Sequence, residues 1–331
     1  MTGRRIGIGV IGAGAMGAYH VAALTRSVPG AEVVALHDAD PQRARHVAAL
    51  CGATCKESAE ALLGDDRVEA VLVASPDPTH PGMVLACLGA QKWVLCEKPL
   101  ATDTVDARRV IDAEVAGGRK RVQLGFMRRY DPGFTELKRS VERAVIGSPR
   151  VVHCVHRNPS PNPGITAAQI VRNSMIHELD TLRWLLGAEI TSIDVQTGSS
   201  TDPQGPQLAS IRVGEVLASV EVSVNARYGY DVRCEVVGER GTATLITPTA
   251  VRTQIDGVES VPIVPGFVAR FEAAYLAQLR DWVDGVRTET VSGSNAWDGF
   301  MAEVAAGAAV KALETAARQE LCAPERPALY A

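Results

Sequence analysis

The sequence predicts an α/β protein in two domains, with a covered parallel sheet in residues 1–126 and an α+β domain with an open, mainly antiparallel sheet in residues 127–331. Three observations predict this organisation. In the first part, short apolar segments alternate with helical segments, as in parallel sheets that helices cover on both faces. After about residue 126, strand signals follow one another, with turn residues between several of them. A chain of 331 residues is also too long for one ordinary hydrophobic core.

Each element is predicted from the spacing of apolar residues and from the glycine and proline residues around it. In the first domain, strands are expected at 5–11, 32–36, 70–74, 93–95 and 122–125, and helices at 15–25, 41–51, 58–63, 81–88 and 104–116. In the second domain, strands are expected at 151–156, 190–198, 209–213, 217–226, 233–237 and 242–246, and helices at 173–184, 267–285 and 296–317.

Composition and charge favour a small-molecule ligand. The net charge is −4 and there are no long basic runs, so neither nucleic acid nor a membrane surface is expected as a partner. No run of about 18 apolar residues is present, so we expect no membrane span. The seven cysteines are scattered and form neither a disulfide framework nor a zinc site, which favours a reducing cytoplasm and predicts no metal.

A glycine fingerprint joins the first predicted strand to the first predicted helix. It consists of Gly12, Ala13, Gly14, Ala15, Met16 and Gly17. The glycines permit a tight turn and a close approach of the backbone to a pyrophosphate, which predicts a Rossmann dinucleotide-binding domain. Asp38 ends the next predicted strand, 21 residues beyond Gly17, where a carboxylate binds the ribose hydroxyls and repels a 2′-phosphate. NAD is therefore the predicted cofactor. The nearby Arg43 leaves NADP open as a second cofactor. The other alternative is a glycine turn that serves packing alone and binds no nucleotide.

Two further segments carry residues suited to chemistry. Lys98, in Glu97-Lys98-Pro99, follows a predicted strand at the edge where ligands of parallel sheets bind. A lysine there can stabilise a substrate oxygen. The alternative is an exposed Glu97–Lys98 ion pair without a catalytic role. In the predicted helix over 173–184, spacings of four, three and four place Asn173, His177, Asp180 and Trp184 on one face. A histidine between an amide and a carboxylate can move a proton near neutral pH, whereas the alternative is a histidine at a packing seam.

These motifs resemble one oxidoreductase family. The fingerprint, the Ala-Ser-Pro-x-x-x-His of residues 74–80 and the Glu97-Lys98-Pro99 segment are similar to the Gfo/Idh/MocA-type oxidoreductases, grouped with glucose-fructose oxidoreductase and inositol dehydrogenase. In the second half, the match narrows to inositol 2-dehydrogenases. It is carried by residues 125–131, 156–159, 176–180, 183–187, 228–231 and 296–300.

The resemblance implies an NAD-linked dehydrogenase that oxidises a secondary hydroxyl of a cyclitol (an inositol or aminocyclitol) or a sugar to a ketone, or catalyses the reverse reduction. Lys98 and His177 match the catalytic positions, as a binder of the substrate oxygen and as the general base or acid. It also implies a homo-oligomer, a dimer or a tetramer. The implied substrate ligands are Arg128, His156, Asn158, Asp180 and a tyrosine of the pair Tyr228 and Tyr230. The implied cofactor ligands are the fingerprint, Asp38, Ser75, Pro76, His80, Glu97 and Lys98.

One position departs from the family pattern. The family commonly has an aspartate four residues before the catalytic histidine, where this chain has Asn173. An amide can orient the imidazole but cannot stabilise its protonated form as a carboxylate does. Three interpretations of Asn173 are open. It is a tolerated residue that orients the imidazole, or it marks a changed substrate or a preference for ketone reduction. In the third, the enzyme is impaired in hydride transfer and serves another role.

Two other functions remain open from the sequence. In redox-neutral chemistry, bound NAD would oxidise a sugar carbon transiently to permit elimination or hydrolysis. Alternatively, the chain is a non-catalytic sensor of nucleotides or sugars.

Overall fold

The structure is a computed structural model that describes residues 4–161, 163–198, 202, 204–246 and 251–331. Its chain divides into two compact units. Unit 1 contains Met1–Met127, Tyr275–Glu303 and Glu325–Ala331, and unit 2 contains Arg128–Ala274 and Val304–Pro324. The C-terminal part of the chain thus contributes to both units, while the predicted domain limits of 1–126 and 127–331 stay a prediction.

Unit 1 contains a parallel sheet of six strands with helices between them. Buried strand β1 has no polar side chain, and α2 shows both helix-end signals: the Asp40 side chain caps its N-terminus and Gly52 ends it in the left-handed conformation. The elements are β1 (Ile6–Ile11), α1 (Ala15–Ser27), β2 (Ala31–His37), α2 (Pro41–Cys51), β3 (Thr54–Cys55), α3 (Ala59–Leu63), β4 (Ala70–Val73), α4 (His80–Gly89), β5 (Trp93–Cys96), α5 (Thr104–Ala116) and β6 (Val122–Leu124).

The strand order β3-β2-β1-β4-β5-β6 confirms the predicted Rossmann arrangement. All its pairs are parallel, so the carboxyl ends of the strands lie along one edge. The order reverses between β1 and β4, and ligands of open parallel sheets bind at such a reversal. The short strand β3 was not predicted, because two residues give no periodic signal.

Unit 2 contains a seven-stranded sheet in the order β12-β11-β7-β10-β9-β8-β15. Only the β7–β10 pair is parallel, which confirms the predicted open, mainly antiparallel sheet. The elements from here to the C-terminus are α6 (Pro132–Glu142), β7 (Pro149–Arg157), α7 (Ala167–Ile170), α8 (Ile176–Leu186), β8 (Ile190–Thr197), β9 (Gln207–Val213), β10 (Val216–Ser223), β11 (Asp231–Gly238), β12 (Thr242–Thr244), β13 (Thr253–Ile255), β14 (Val258–Ser260), α9 (Phe267–Thr288), α10 (Ala296–Thr315) and β15 (Gln319–Glu320).

Alternation along the strands of unit 2 separates a buried face from an outer face. On β7, Val152, Cys154 and His156 are buried, whereas His153 between them is exposed. His156 therefore belongs to the buried face. No helix in the described ranges is long and apolar enough to cross a membrane.

Candidate active site

The glycine fingerprint forms a turn in unit 1 that leaves room above the start of α1. Gly12 has a φ of 100°, and a Cβ atom there would lie 2.4 Å from the carbonyl oxygen of Ala74. A Cβ atom on Gly17 would lie 1.9 Å from the carbonyl oxygen of Gly12. Both positions therefore require glycine for packing. A Cβ atom on Gly14, in contrast, would meet nothing within 4 Å.

The start of α1 is suited to an anion. Gly14 is its N-cap residue and provides no side-chain hydrogen bond, and the first turn contains no acidic residue. The N–H groups of a helix start carry partial positive charge and attract phosphate groups. Open space at Gly14 together with this uncapped helix start fits the pyrophosphate of a dinucleotide.

Asp38 directly follows β2 and is tied to the fingerprint. The backbone N–H of Ala13 donates to its Oδ2 at 2.6 Å, and the N–H of Asp40 donates to Oδ1 at 2.8 Å. The Arg43 guanidinium lies 3.5 Å from Oδ1. The carboxylate is therefore held beside the fingerprint turn, and Arg43 is close enough to offset part of its charge; its role as a ribose ligand stays a prediction.

The loops that follow β4 and β5 are joined by His80. Its imidazole is buried, with Nδ1 2.7 Å from the carbonyl oxygen of Pro99 and Nε2 2.8 Å from that of Ser75. The ring of His80 thus contacts the chain itself, although the sequence predicted it as a cofactor ligand. Ser75 is half-buried, with its hydroxyl 2.7 Å from that of Thr79, and Pro76 is exposed.

Glu97 is anchored in unit 1 beside Lys98. Nε2 of His20 lies 2.7 Å from Oε1 of Glu97, and the backbone N–H of Lys98 donates to Oε2 at 3.2 Å. Burial alone would raise the pKa of Glu97, but the His20 hydrogen bond, the His20 charge and the Lys98 charge hold this pKa below its ordinary value. Glu97 is therefore an ionised anchor that fixes the backbone of the predicted catalytic lysine.

In unit 2, the segment before His177 is a π-helical turn. It spans Val171–Met175, and the N–H of Ile176 donates to the carbonyl oxygen of Val171, five residues earlier. The prediction of one regular helix over 173–184 was therefore wrong at its start. Asn173 lies in the wider turn and is half-buried, whereas His177 lies buried in the first turn of α8. Such turns in helices are frequent at functional sites.

Four side chains form a buried polar cluster next to His177: Arg128, His156, Glu178 and Tyr230. Arg128 donates to Oε1 of Glu178, and Nδ1 of His156 lies 3.1 Å from Oε2. The Tyr230 hydroxyl lies 3.4 Å from Nε2 of His156. The ring centroids of His156 and His177 are 6.2 Å apart. Three of the four side chains were predicted as substrate ligands, and the structure brings them together around a glutamate that was not.

The other predicted substrate ligands of unit 2 have separate partners. Arg129 binds Asp180 with two hydrogen bonds, of 3.0 and 2.6 Å, so both carboxylate oxygens are used within the unit. The Asn158 amide donates to the Ser174 hydroxyl at 3.3 Å, which links β7 to the π-helical turn.

The two candidate tyrosines lie in different environments. Tyr230 is buried, and burial raises the pKa of its hydroxyl to about 12. Tyr228 is 46% exposed; its hydroxyl donates to Asp231 at 2.7 Å and accepts from Arg157 at 3.1 Å. Only Tyr230 shares the buried polar cluster next to His177.

Sequence reasoning missed three residues that support this site: His20, Arg129 and Glu178. Each is the partner of a residue that was predicted, and in all three pairs the fold brings together residues that are distant in the sequence. A signal did exist for Glu178, because an acidic residue in an otherwise buried helix requires a cationic partner.

Two family models together match most of the chain. Residues 6–126 match the model described as oxidoreductase family, NAD-binding Rossmann fold, and residues 134–244 match the GFO/IDH/MocA C-terminal domain. The chain belongs to this family. It is therefore an oxidoreductase with an NAD-binding domain, and the predicted enzyme class and cofactor are confirmed.

Several inositol dehydrogenases are similar to the chain over almost its full length. Inositol 2-dehydrogenase 1 of Saccharopolyspora erythraea is 44% identical, over 98% of both chains. An inositol 2-dehydrogenase of Burkholderia lata is 42% identical, also over 98% of both chains. Myo-inositol dehydrogenase of Lactobacillus casei, solved in complex with NAD(H) and myo-inositol, is 32% identical and matches 99% of this chain and 100% of its own with a TM-score of 0.94.

Proposed function

We propose that the protein oxidises a secondary hydroxyl of a cyclitol, an inositol or an aminocyclitol, to the ketone, and that it catalyses the reverse reduction. The observation that carries the proposal is the 44% identity to an inositol 2-dehydrogenase across 98% of both chains. The similarity extends through the second half, where the predicted substrate ligands lie. The structural similarity to an enzyme solved with myo-inositol supports the same substrate class.

Residues of unit 1 hold the cofactor in this proposal. The N–H groups at the start of α1 bind the pyrophosphate, and Asp38 binds the ribose hydroxyls. When bound, NAD accepts a hydride from the substrate carbon. Lys98 donates a hydrogen bond to the substrate oxygen and stabilises the negative charge that develops there.

His177 takes the hydroxyl proton in this proposal. Its own helix provides two carboxylates, and Glu178 is paired with Arg128 and Asp180 with Arg129. Each arginine offsets part of the negative charge of its carboxylate. With Asn173 in place of the family aspartate, the imidazolium should release its proton readily, which favours ketone reduction over alcohol oxidation.

The test is a panel of inositols, aminocyclitols and hexoses with NAD and NADP, together with the matching inososes and NADH. We expect NADH formation with at least one cyclitol, and faster NADH oxidation with the corresponding ketone. Absence of turnover in both directions would refute the substrate assignment. Tightly bound cofactor that never appears as free NADH would instead indicate redox-neutral chemistry.

We also propose that the protein is a homo-oligomer in the cytoplasm. Leu208 and Leu217 are 59% and 44% exposed on the outer face of the β9–β10 pair, so this face offers apolar surface to a second copy of the chain. All seven cysteines are unpaired, which supports a reducing compartment. Light scattering of the purified protein would identify a dimer or a tetramer, and a monomer would refute the association.

A further inference from the structure

The buried polar cluster is organised by Glu178. Its carboxylate oxygens have one partner each: Oε1 accepts from Arg128, and Oε2 lies 3.1 Å from Nδ1 of His156. Burial alone would raise the pKa of Glu178, but the Arg128 charge and the hydrogen bonds from His156 and Arg128 hold this pKa below its ordinary value. The carboxylate is therefore ionised at neutral pH and can only accept hydrogen bonds.

Nδ1 of His156 faces two groups with opposite requirements. Besides Glu178, a terminal nitrogen of Arg128 lies 3.2 Å from it. A carboxylate requires a proton on Nδ1, whereas a guanidinium, which only donates, requires a lone pair there. Nδ1 cannot meet both requirements at once. One of the two short distances is therefore a hydrogen bond, and the other is a contact without one.

Of the two contacts, the hydrogen bond from Nδ1 of His156 to the carboxylate is the more favourable. In the part of the chain that the structure describes, no other donor reaches Oε2 of Glu178. Arg128, in contrast, already donates to Oε1 of Glu178, so it keeps an acceptor when its approach to His156 is not a hydrogen bond. A buried carboxylate oxygen without a donor is the costlier loss, so the proton belongs on Nδ1 of His156.

This tautomer completes a chain of hydrogen bonds through the cluster. With the proton on Nδ1, Nε2 of His156 carries a lone pair and the Tyr230 hydroxyl, 3.4 Å away, donates to it. His156 then donates to Oε2 of Glu178, while Arg128 donates to Oε1. The cluster is neutral as a whole, and the His156 imidazole is the neighbour of His177, at 6.2 Å between centroids.

We propose that Glu178 is a positioning residue that acts on His177 through His156: it holds the proton on Nδ1 of His156, and so fixes the side chains beside the His177 imidazole. The catalytic consequence rests on the proposed function. In this inference Arg128, His156 and Tyr230 also hold one another in place beside His177, in addition to their predicted roles as substrate ligands.

The tautomer of His156 tests the inference directly, without any turnover. The full chain is labelled with ¹⁵N-histidine, and long-range ¹⁵N–¹H correlation spectra are recorded, with the His156 signals assigned by their loss in His156→Gln. We expect wild-type His156 to carry its proton on Nδ1 alone, and Glu178→Gln to move it at least partly to Nε2. A wild-type ring protonated on Nε2 alone or on both nitrogens would overturn the inference, even if Glu178→Gln does not fold.

Kinetics test the positioning role. Glu178→Gln should lower kcat about 10- to 100-fold, as small displacements of reacting groups do, with little change in KM. The matched control is Glu189→Gln, which removes a carboxylate that follows α8 and pairs with Arg183, near the opposite end of this helix from His177. A kcat for Glu178→Gln equal to that of the control would overturn the inference. If no cyclitol is turned over by the wild type, the proposed function fails, while the tautomer measurement still decides whether Glu178 sets His156.

Discussion

The buried ion pair of Arg128 and Glu178 makes a strong prediction about stability. The two side chains are 3% and 1% exposed, so water does not screen either charge. Replacement of Glu178 by glutamine leaves the guanidinium buried without a counter-charge, because the Arg128 pKa is raised above its already high ordinary value and the group cannot lose its proton. Breaking such a pair on one side costs about 3–5 kcal/mol.

The assay is urea or thermal unfolding of wild type, Glu178→Gln and the control Glu189→Gln. Glu189 is 35% exposed, so water screens its pair with Arg183 in part and its loss should cost clearly less than that of Glu178. At about 2–4 °C per kcal/mol, Tm should fall by about 6–20 °C for Glu178→Gln. The double variant Arg128→Met/Glu178→Gln removes both charges and should recover most of that loss.

The pH dependence has a definite sign. Since the pKa of Glu178 in the folded protein is below its ordinary value of 4.5, its contribution to stability is complete above pH 4.5 and is lost as the pH falls through the lower folded value. The stability difference between wild type and Glu178→Gln should therefore shrink only in that acidic range. Equal stability of Glu178→Gln and Glu189→Gln at neutral pH would refute the reasoning.

Three further predictions address the cofactor turn and the histidine helix. Gly14→Ala should leave Tm unchanged, because the new Cβ atom meets only open space. Since the pyrophosphate binds in that space, the variant should weaken NAD binding about 10-fold or more by calorimetry. Gly17→Ala should instead lower Tm, because its Cβ atom would lie 1.9 Å from a carbonyl oxygen. Equal effects of the two on Tm would contradict this. Asp38→Asn should raise the Kd for NAD about 10-fold and lower that for NADP, and an unchanged ratio would exclude a role in discrimination. Asn173→Asp should move the acidic limb of the pH–rate profile for alcohol oxidation to higher pH, and an unmoved limb would mean that this position is not coupled to His177.

The sequence was most informative where function depends on local signals. The fingerprint and Asp38 lie in one strand–turn–helix–strand segment, so their placement follows from residues close in the chain. The carboxyl-end rule likewise explains why Glu97 and Lys98 were located from a strand boundary alone. Helix α6 was missed although its signal was present, since Asp131 caps it and Pro132 begins it.

The remaining features depend on contacts between distant residues. Glu178 and Arg128 are 50 positions apart, and the register of β7 decides that His156 faces both. The π-helical turn before His177 has no local signature, because it depends on the packing of the segment. Tyr228 and Tyr230 look equivalent in the sequence, yet only the fold buries one of them in the polar cluster.

Turnover by a His177→Gln variant tests the central claim most directly. We predict that NADH formation from the best cyclitol of the panel falls about 100-fold or more, while Tm and the Kd for NAD stay at their wild-type values, because only the proton acceptor is lost. Unchanged turnover would contradict the assignment of His177 as the proton carrier. Loss of folding would return His177 to a structural role.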